Sequence, residues 1–393
     1  MNRRELIKIC GLFQLGLYLP ALTSACSEAK TPTKDIGKII IIGAGAGGLC
    51  AGYLLKQQGI EFQILEASSN YGGRMKRTTE FANFPIPLGA EWIHVSTDIL
   101  EEIVHDNLVE IDIETTRYKP DIDSVLYEGK LYKLSVADLF REESKFINSS
   151  WFDFFEEYIV PSIEKYITYN AVVEAIDYST EIIEIVTPDQ KYSANQVIVT
   201  APVKILQNDG ITFTPKLPKK KRDAIKNVTV WDGCKAFIEF SKEFYPAVVA
   251  FNITPAKSGQ KLYYDASYGH NTSQNILGLF AVGSATLPYL KLSDDELINY
   301  MLNELDELFD GEASPHYVKH IFQNWNAEPY AKGAYVCDHE NWRRVRTLGE
   351  SVANRLFFAG TAYTDGEDWS SVHTAARSAS KTVKEILDNL SSG

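Results

Sequence analysis

The hydrophobic pattern first resolves at Ile39-Ile40-Ile41-Ile42, an apolar strand that runs into Gly43-Ala44-Gly45-Ala46-Gly47-Gly48. A helix over 49–58 and a second apolar strand over 61–65 follow, and the acidic Glu66 ends that run. Helical spacing returns at 98–107 and at 135–166, the latter rich in Trp, Phe and Tyr. From Ala171 the pattern is that of short strands, at 172–176, 182–186 and 192–202, then at 229–240, 262–264 and 276–282. Residues 293–309 predict an amphipathic helix with Asp294, Asp295 and Glu296 in its first turn, where the helix dipole favours negative charge. A buried strand over 356–361 ends in Gly360-Thr361 and precedes a helix over 371–387.

The glycine spacing turns the first three elements into a dinucleotide-binding βαβ unit. Gly43 allows the tight turn, Gly45 lets the backbone approach a pyrophosphate, and Gly48 lets the helix pack on the strand. The phosphates then meet the helix N-terminus, and Glu66 accepts the ribose hydroxyls. A second glycine pair, Gly72-Gly73, is capped by Arg74, whose planar donors suit phosphate. Residues 84–95 predict an extended segment in which Gly89 marks a close backbone approach.

Composition narrows the picture further. The chain has 393 residues, 45% of them hydrophobic, enough for two domains or one large discontinuous one. A net charge of −13 argues against a nucleic-acid partner. The one basic run, 219–222, follows Pro215 and Pro218 and predicts a helix start with a solvated face. At the N-terminus, Arg3-Arg4 and Lys8 precede an apolar stretch over 9–22 and small residues before Cys26, the order of an export signal. Residues 2–8 resemble a twin-arginine signal and 23–26 a bacterial lipoprotein cleavage site, so residues 1–26 predict export to the periplasm or a membrane tether through Cys26. An uncleaved N-terminal anchor is the alternative. A polar linker spans 27–37. The cysteines, Cys10, Cys26, Cys50, Cys234 and Cys337, form no metal or redox motif, and Cys50 reads as a small buried apolar residue.

Taken in order, the glycine-rich turn, Glu66, Gly72-Gly73-Arg74, Gly89-Ala90-Glu91-Trp92, Val173, Lys235, Trp325 with Gly333-Ala334-Tyr335, and Phe358-Ala359-Gly360-Thr361 resemble the flavin-containing amine oxidase family, the monoamine and polyamine oxidases. The resemblance covers nearly the whole chain beyond the linker. It implies an α/β fold: a FAD-binding Rossmann-like, glutathione-reductase-like domain from 38–95, 167–206 and 345–390, with a mixed-sheet and helical substrate domain from 96–166 and 207–344. It also implies oxidation of an amine to an imine, with O2 as acceptor and H2O2 as product.

Family positions carry over one by one. Gly43, Gly45, Gly48, Glu66, Gly73, Arg74, Gly89, Ala90, Glu91, Trp92, Val173, Trp325, Gly360, Thr361 and Val372 match cofactor-side positions. Lys235 matches the lysine that holds a water near the flavin, supporting the chemistry rather than the fold; an outward-facing strand lysine is the alternative. Tyr335 matches one wall of the aromatic cage around the amine, or else is a buried structural ring. His94 stands at the substrate channel, between channel lining and packing. The chain also departs from the pattern. Val372 occupies the other cage position, leaving Trp369, Trp92 or a tyrosine to substitute. Ala334 stands where covalently flavinylated relatives have cysteine, which implies noncovalent FAD, and Thr361-Ala362 lacks a glutamate common after Phe-Ala-Gly. The region between His94 and Ile167 is short. An amino-acid oxidase, a flavin desaturase or isomerase, and a flavin-binding protein without turnover are the competing readings.

Overall fold

The five-stranded sheet that carries the glycine-rich turn is parallel throughout, in the spatial order Leu356–Phe358, Gln196–Val199, Ile39–Ile42, Phe62–Leu65, Ile167–Thr168. The computed structural model describes residues 37–119, 124–127, 130–133, 143–251, 258–337, 341–368 and 370–391, so the expected export signal with Cys26, the linker up to residue 36, and Trp369 lie outside the described residues. Ile39–Ile42 is the central strand, and its isoleucines need no polar alternation because both faces are covered. Ile39 and Ile41 join the core under the helices Ala46–Gln57 and Val372–Ser391, which pack on each other. Ile40 and Ile42 join a second core, under a four-stranded sheet ordered Lys191–Ala194, Ile183–Val186, Ala175–Asp177, Thr212–Thr214. Strands of the parallel sheet come from both ends of the described chain.

The other half is built on a seven-stranded sheet, ordered Tyr317–Asn324, Gly233–Phe240, Asn275–Gly283, Gly259–Asp265, Val248–Ala250, Ser124–Tyr127, Leu131–Lys133. It is mixed, since Val248–Ala250 pairs parallel with Ser124–Tyr127 among antiparallel neighbours. One face packs on the amphipathic helix Asp294–Leu308, which starts in a capping box between Ser293 and Glu296. The opposite face looks into the molecule.

Three expectations are corrected. Within 135–166, residues 135–142 lie outside the described residues, and Ser144–Phe146 is a strand paired with Thr115–Arg117. Helix begins only at Trp151–Tyr158, capped by Ser150, because the aromatic run rather than the preceding residues carries the 3.6-residue face. The strand expected from Thr229 begins at Gly233, since Thr229 and Trp231 instead bond to Cys337 and Tyr335. The helix Lys219–Asn227 exposes Lys219 and Lys220, but Lys221 is buried. Its ammonium donates to the carbonyls of Leu348 and Glu350, both at 2.6 Å, over the ring of Phe358, and burial lowers its pKa to about 7. It caps the C-terminal end of the helix Trp342–Gly349, where a cation is favoured. Cys50 is buried as expected, with its thiol pKa pushed up by desolvation.

Candidate active site

Between the two sheets runs a cavity of about 1370 Å³, larger than the ~300–1,000 Å³ of ordinary small-ligand pockets. At one end stands the glycine-rich turn. A Cβ on Gly48 would stand 1.9 Å from the carbonyl oxygen of Gly43, so the helix closes on the strand only with glycine there. A Cβ on Gly45 would meet nothing within 4 Å, and Gly45 lines the cavity, which leaves open space for a ligand beside the helix N-terminus. The Glu66 carboxylate is fixed by the backbone N–H of Ala44 at 2.6 Å and by the N–H and hydroxyl of Ser68 at 2.8 and 2.7 Å. Those bonds occupy three of its four acceptor sites, and one is left for a ligand hydroxyl. Val173 flanks it.

Arg74 comes next along the cavity. Its guanidinium donates to the carbonyl of Ala334 and, at 3.1 Å, to the hydroxyl of Thr361, which joins the second glycine loop to the Gly360-Thr361 turn. No carboxylate pairs with it among the described residues, and burial lowers its pKa from the ordinary value. A buried cation without an anion is costly. An anionic ligand in the adjoining cavity supplies the missing partner, so the site fits a pyrophosphate.

The strap 87–92 crosses from Arg74 to the large sheet. Gly89 is obligatory there: a Cβ would stand 1.9 Å from the Arg74 carbonyl oxygen and 2.8 Å from the Trp325 ring. The close approach expected from the sequence is therefore to Arg74. Ala90 donates to that same carbonyl at 2.9 Å, and the Trp325 indole donates to Leu88 at 3.1 Å.

Lys235 anchors the strap from the sheet. Its ammonium donates to Pro87 O at 2.8 Å, Gly89 O at 3.3 Å and Glu91 Oε2 at 2.6 Å, so all three donors are used within the protein. Glu91 in turn accepts the hydroxyl of Tyr264 at 2.5 Å and pairs through Oε1 with Lys145 at 3.3 Å. Lys145 donates to Ala266 O at 3.2 Å and sits over the rings of Trp92, Tyr118 and Tyr264. All three charged groups are buried. Burial opposes the Glu91 charge, but the two ammonium groups prevail and hold its carboxyl below the usual range. Lys235 is thus neither an outward-facing strand residue nor a lysine with a spare donor; it is a structural staple that also lines the cavity.

Tyr335 packs its ring against Trp231, with centroids 6.1 Å apart, and lines the cavity, as does Val372 at the start of the last helix. Burial raises the Tyr335 pKa, so the phenol stays protonated. His94 is half-exposed at the cavity wall, with Nδ1 3.0 Å from Glu143. Apart from Gly48, which is packed behind the turn, every residue assigned to the site from the sequence lines this one cavity. Lys145, Tyr264, Glu143 and Trp231 escaped the sequence reading. Lys145 and Glu143 sit in the region taken for helix, and nothing local marks their partners.

The model of the flavin containing amine oxidoreductases matches residues 156–387, and that of an NAD(P)-binding Rossmann-like domain matches 41–106. The chain belongs to the flavin-containing amine oxidoreductase family. Polyamine oxidase 2 of Arabidopsis thaliana is 22% identical over 448 residues, covering 90% of this chain and 88% of that one. Lysine-specific histone demethylase 1B of Mus musculus is 27% identical over 197 residues, 48% of this chain. The chain spans 24% of that demethylase and 53% of the human Lysine-specific histone demethylase 2. Among solved structures, wild-type putrescine oxidase bound to putrescine superposes with a TM-score of 0.71 at 15% identity, and cyclohexylamine oxidase from Brevibacterium oxydans with 0.72 at 14%. Each superposition covers 90% of this chain and 99% of the other, and establishes the shared fold. In this family the cofactor is FAD, and the turn, Glu66 and the unpaired Arg74 are the residues that fit it.

Proposed function

We propose that the protein oxidises an amine to an imine, which water hydrolyses to an aldehyde or ketone, with noncovalent FAD as cofactor and O2 as acceptor. One observation carries this reading: a single cavity is lined by the dinucleotide turn and by Tyr335, Trp231 and the Lys235 strap, with Arg74 touching the strap and the residue before Tyr335. Held by the glycine-rich turn, Glu66 and Arg74, FAD would supply the two-electron acceptor for oxidation of the carbon beside the amine nitrogen, with O2 reduced to H2O2. The protein groups bind and orient. Tyr335 and Trp231 offer ring faces, which favour an amine. The strap, held by Gly89 against Arg74 and by Lys235 from the sheet, fixes one wall of the reaction chamber.

An amino-acid oxidase would need a cation free to meet a carboxylate. Of the lining cations among the described residues, Lys76, Arg77 and Lys235 are each paired with an acid, Arg74 is assigned to the cofactor's pyrophosphate, and Lys332 is exposed. That favours the amine. The test is turnover in air with a panel of amines, expected to release one H2O2 per carbonyl product. Carbonyl without peroxide would refute O2 as acceptor, and no turnover with any amine would favour a flavin-binding role without oxidase activity.

A further inference from the structure

The large sheet shows what sort of amine the cavity takes, an inference that rests on the amine-oxidase reading above. Strand pairing places Ala250 opposite Leu262, Leu262 opposite Phe280, and Phe280 opposite Lys235, so the four share one row and one face. Cross-strand neighbours stand ~4.8 Å apart, so the row carries the cavity floor roughly 14 Å away from Lys235. All four line the cavity, and so do Val248 and Val282 on the same face. Leu262 and Phe280 are only half-buried, although they face inward. Large apolar side chains left partly bare inside a cavity mark a surface awaiting an apolar ligand. Phe280 also packs with Trp231 and Tyr335, so this floor continues directly into the aromatic end of the site.

Charge points the same way. Among the described residues, no acid from the strands of this sheet lines the cavity; the one uncharged polar side chain of that face in the lining is Gln260. The acids elsewhere in the wall are engaged: Glu66 with Ala44 and Ser68 beside the dinucleotide turn, Glu91 with two lysines, Glu328 with Lys76 and Gln323, Glu143 with His94, and Asp368 with His373. Glu367 is exposed. A second ammonium on the substrate would therefore be buried against Leu262 and Phe280 with no counter-ion from this sheet among the described residues, which is unfavourable.

We propose that the substrate is a monoamine with an apolar substituent, and that Ala250, Leu262 and Phe280 set this specificity by rejecting diamines and polyamines. The matched probes are n-hexylamine and 1,6-diaminohexane, which differ by one terminal ammonium. Two readouts apply to the flavin-loaded protein: the dissociation constant from the perturbed flavin spectrum of the oxidised protein, and the anaerobic rate of flavin reduction. Hexylamine should bind, and reduce the flavin, at least ~10-fold better than the diamine, the range one substrate group commands in a fitted pocket. Leu262→Glu, or Ala250→Asp as a second variant, should narrow or invert that ratio with FAD content unchanged. Equal or better binding of the diamine by the parent protein would overturn the proposal, as would an unchanged ratio in both variants. Tighter hexylamine binding without flavin reduction by any amine would uphold the pocket assignment and refute the oxidase reading instead.

Discussion

Replacing Glu91 with glutamine isolates the charge that holds the strap to the sheet. Glutamine keeps the volume and an acceptor for Tyr264, but leaves two buried ammonium groups, Lys235 and Lys145, without their shared anion. Removing one partner of a buried pair costs about 3–5 kcal/mol. A lysine can escape by losing its proton, which costs about 4 kcal/mol at pH 7.5 from an unfolded pKa near 10.4. The two routes agree on a loss of about 4 kcal/mol, or roughly 10 °C in Tm for a chain of this size. The second route also gives a signature. With the folded lysine neutral and the unfolded one protonated, the unfolded state binds more protons, so the stability of the variant rises with pH between 7 and about 10. The parent behaves differently at acid pH. The lowered Glu91 pKa gives stability that is present above the unfolded carboxyl value and is lost as pH falls through the folded value. Denaturant midpoints of parent and variant from about pH 2 to 10 measure both limbs. A loss below about 1 kcal/mol at pH 7.5, or a penalty that does not shrink toward pH 10, would refute the staple.

The other predictions bear on the cofactor and on location. Arg74→Met removes a half-buried cation that lines the cavity, and charge-assisted bonds contribute ~1.5–3 kcal/mol, so FAD affinity should fall ~10- to 100-fold in ultrafiltration; unchanged affinity would dissociate Arg74 from the cofactor. Acid precipitation should release the flavin to the supernatant, since Ala334 offers no thiol, and flavin kept in the pellet would contradict noncovalent binding. Arg3→Lys with Arg4→Lys should block export in a bacterial host with twin-arginine transport, and undiminished export would refute that route.

What the sequence disclosed was set by how local each signal is. The dinucleotide turn was legible because Gly43, Gly45 and Gly48 act within one turn and Glu66 ends the very next strand. Gly89 announced a close approach, and only the fold revealed that Arg74 fills the space. The buried charge cluster was not legible. Lys145 reaches Glu91 from a short strand in a stretch whose aromatic residues imposed a helical reading, and their pairing depends on tertiary position alone. Lys221 misled for a related reason: in a run of four basic residues, a single helical phase sends one inward to cap Trp342–Gly349. The apolar floor was likewise invisible, because the row from Ala250 to Lys235 exists only in the strand register.

One cavity, on this reading, presents an amine to a bound flavin. Mixing the purified flavin-loaded protein with n-hexylamine in the absence of oxygen tests it most directly, since reduction bleaches the visible flavin absorbance without any acceptor. Full bleaching is expected in one phase that saturates with amine concentration, reversed when air is admitted. An unchanged flavin spectrum with hexylamine and with every other amine tried, from a protein that holds its full complement of FAD, would contradict it.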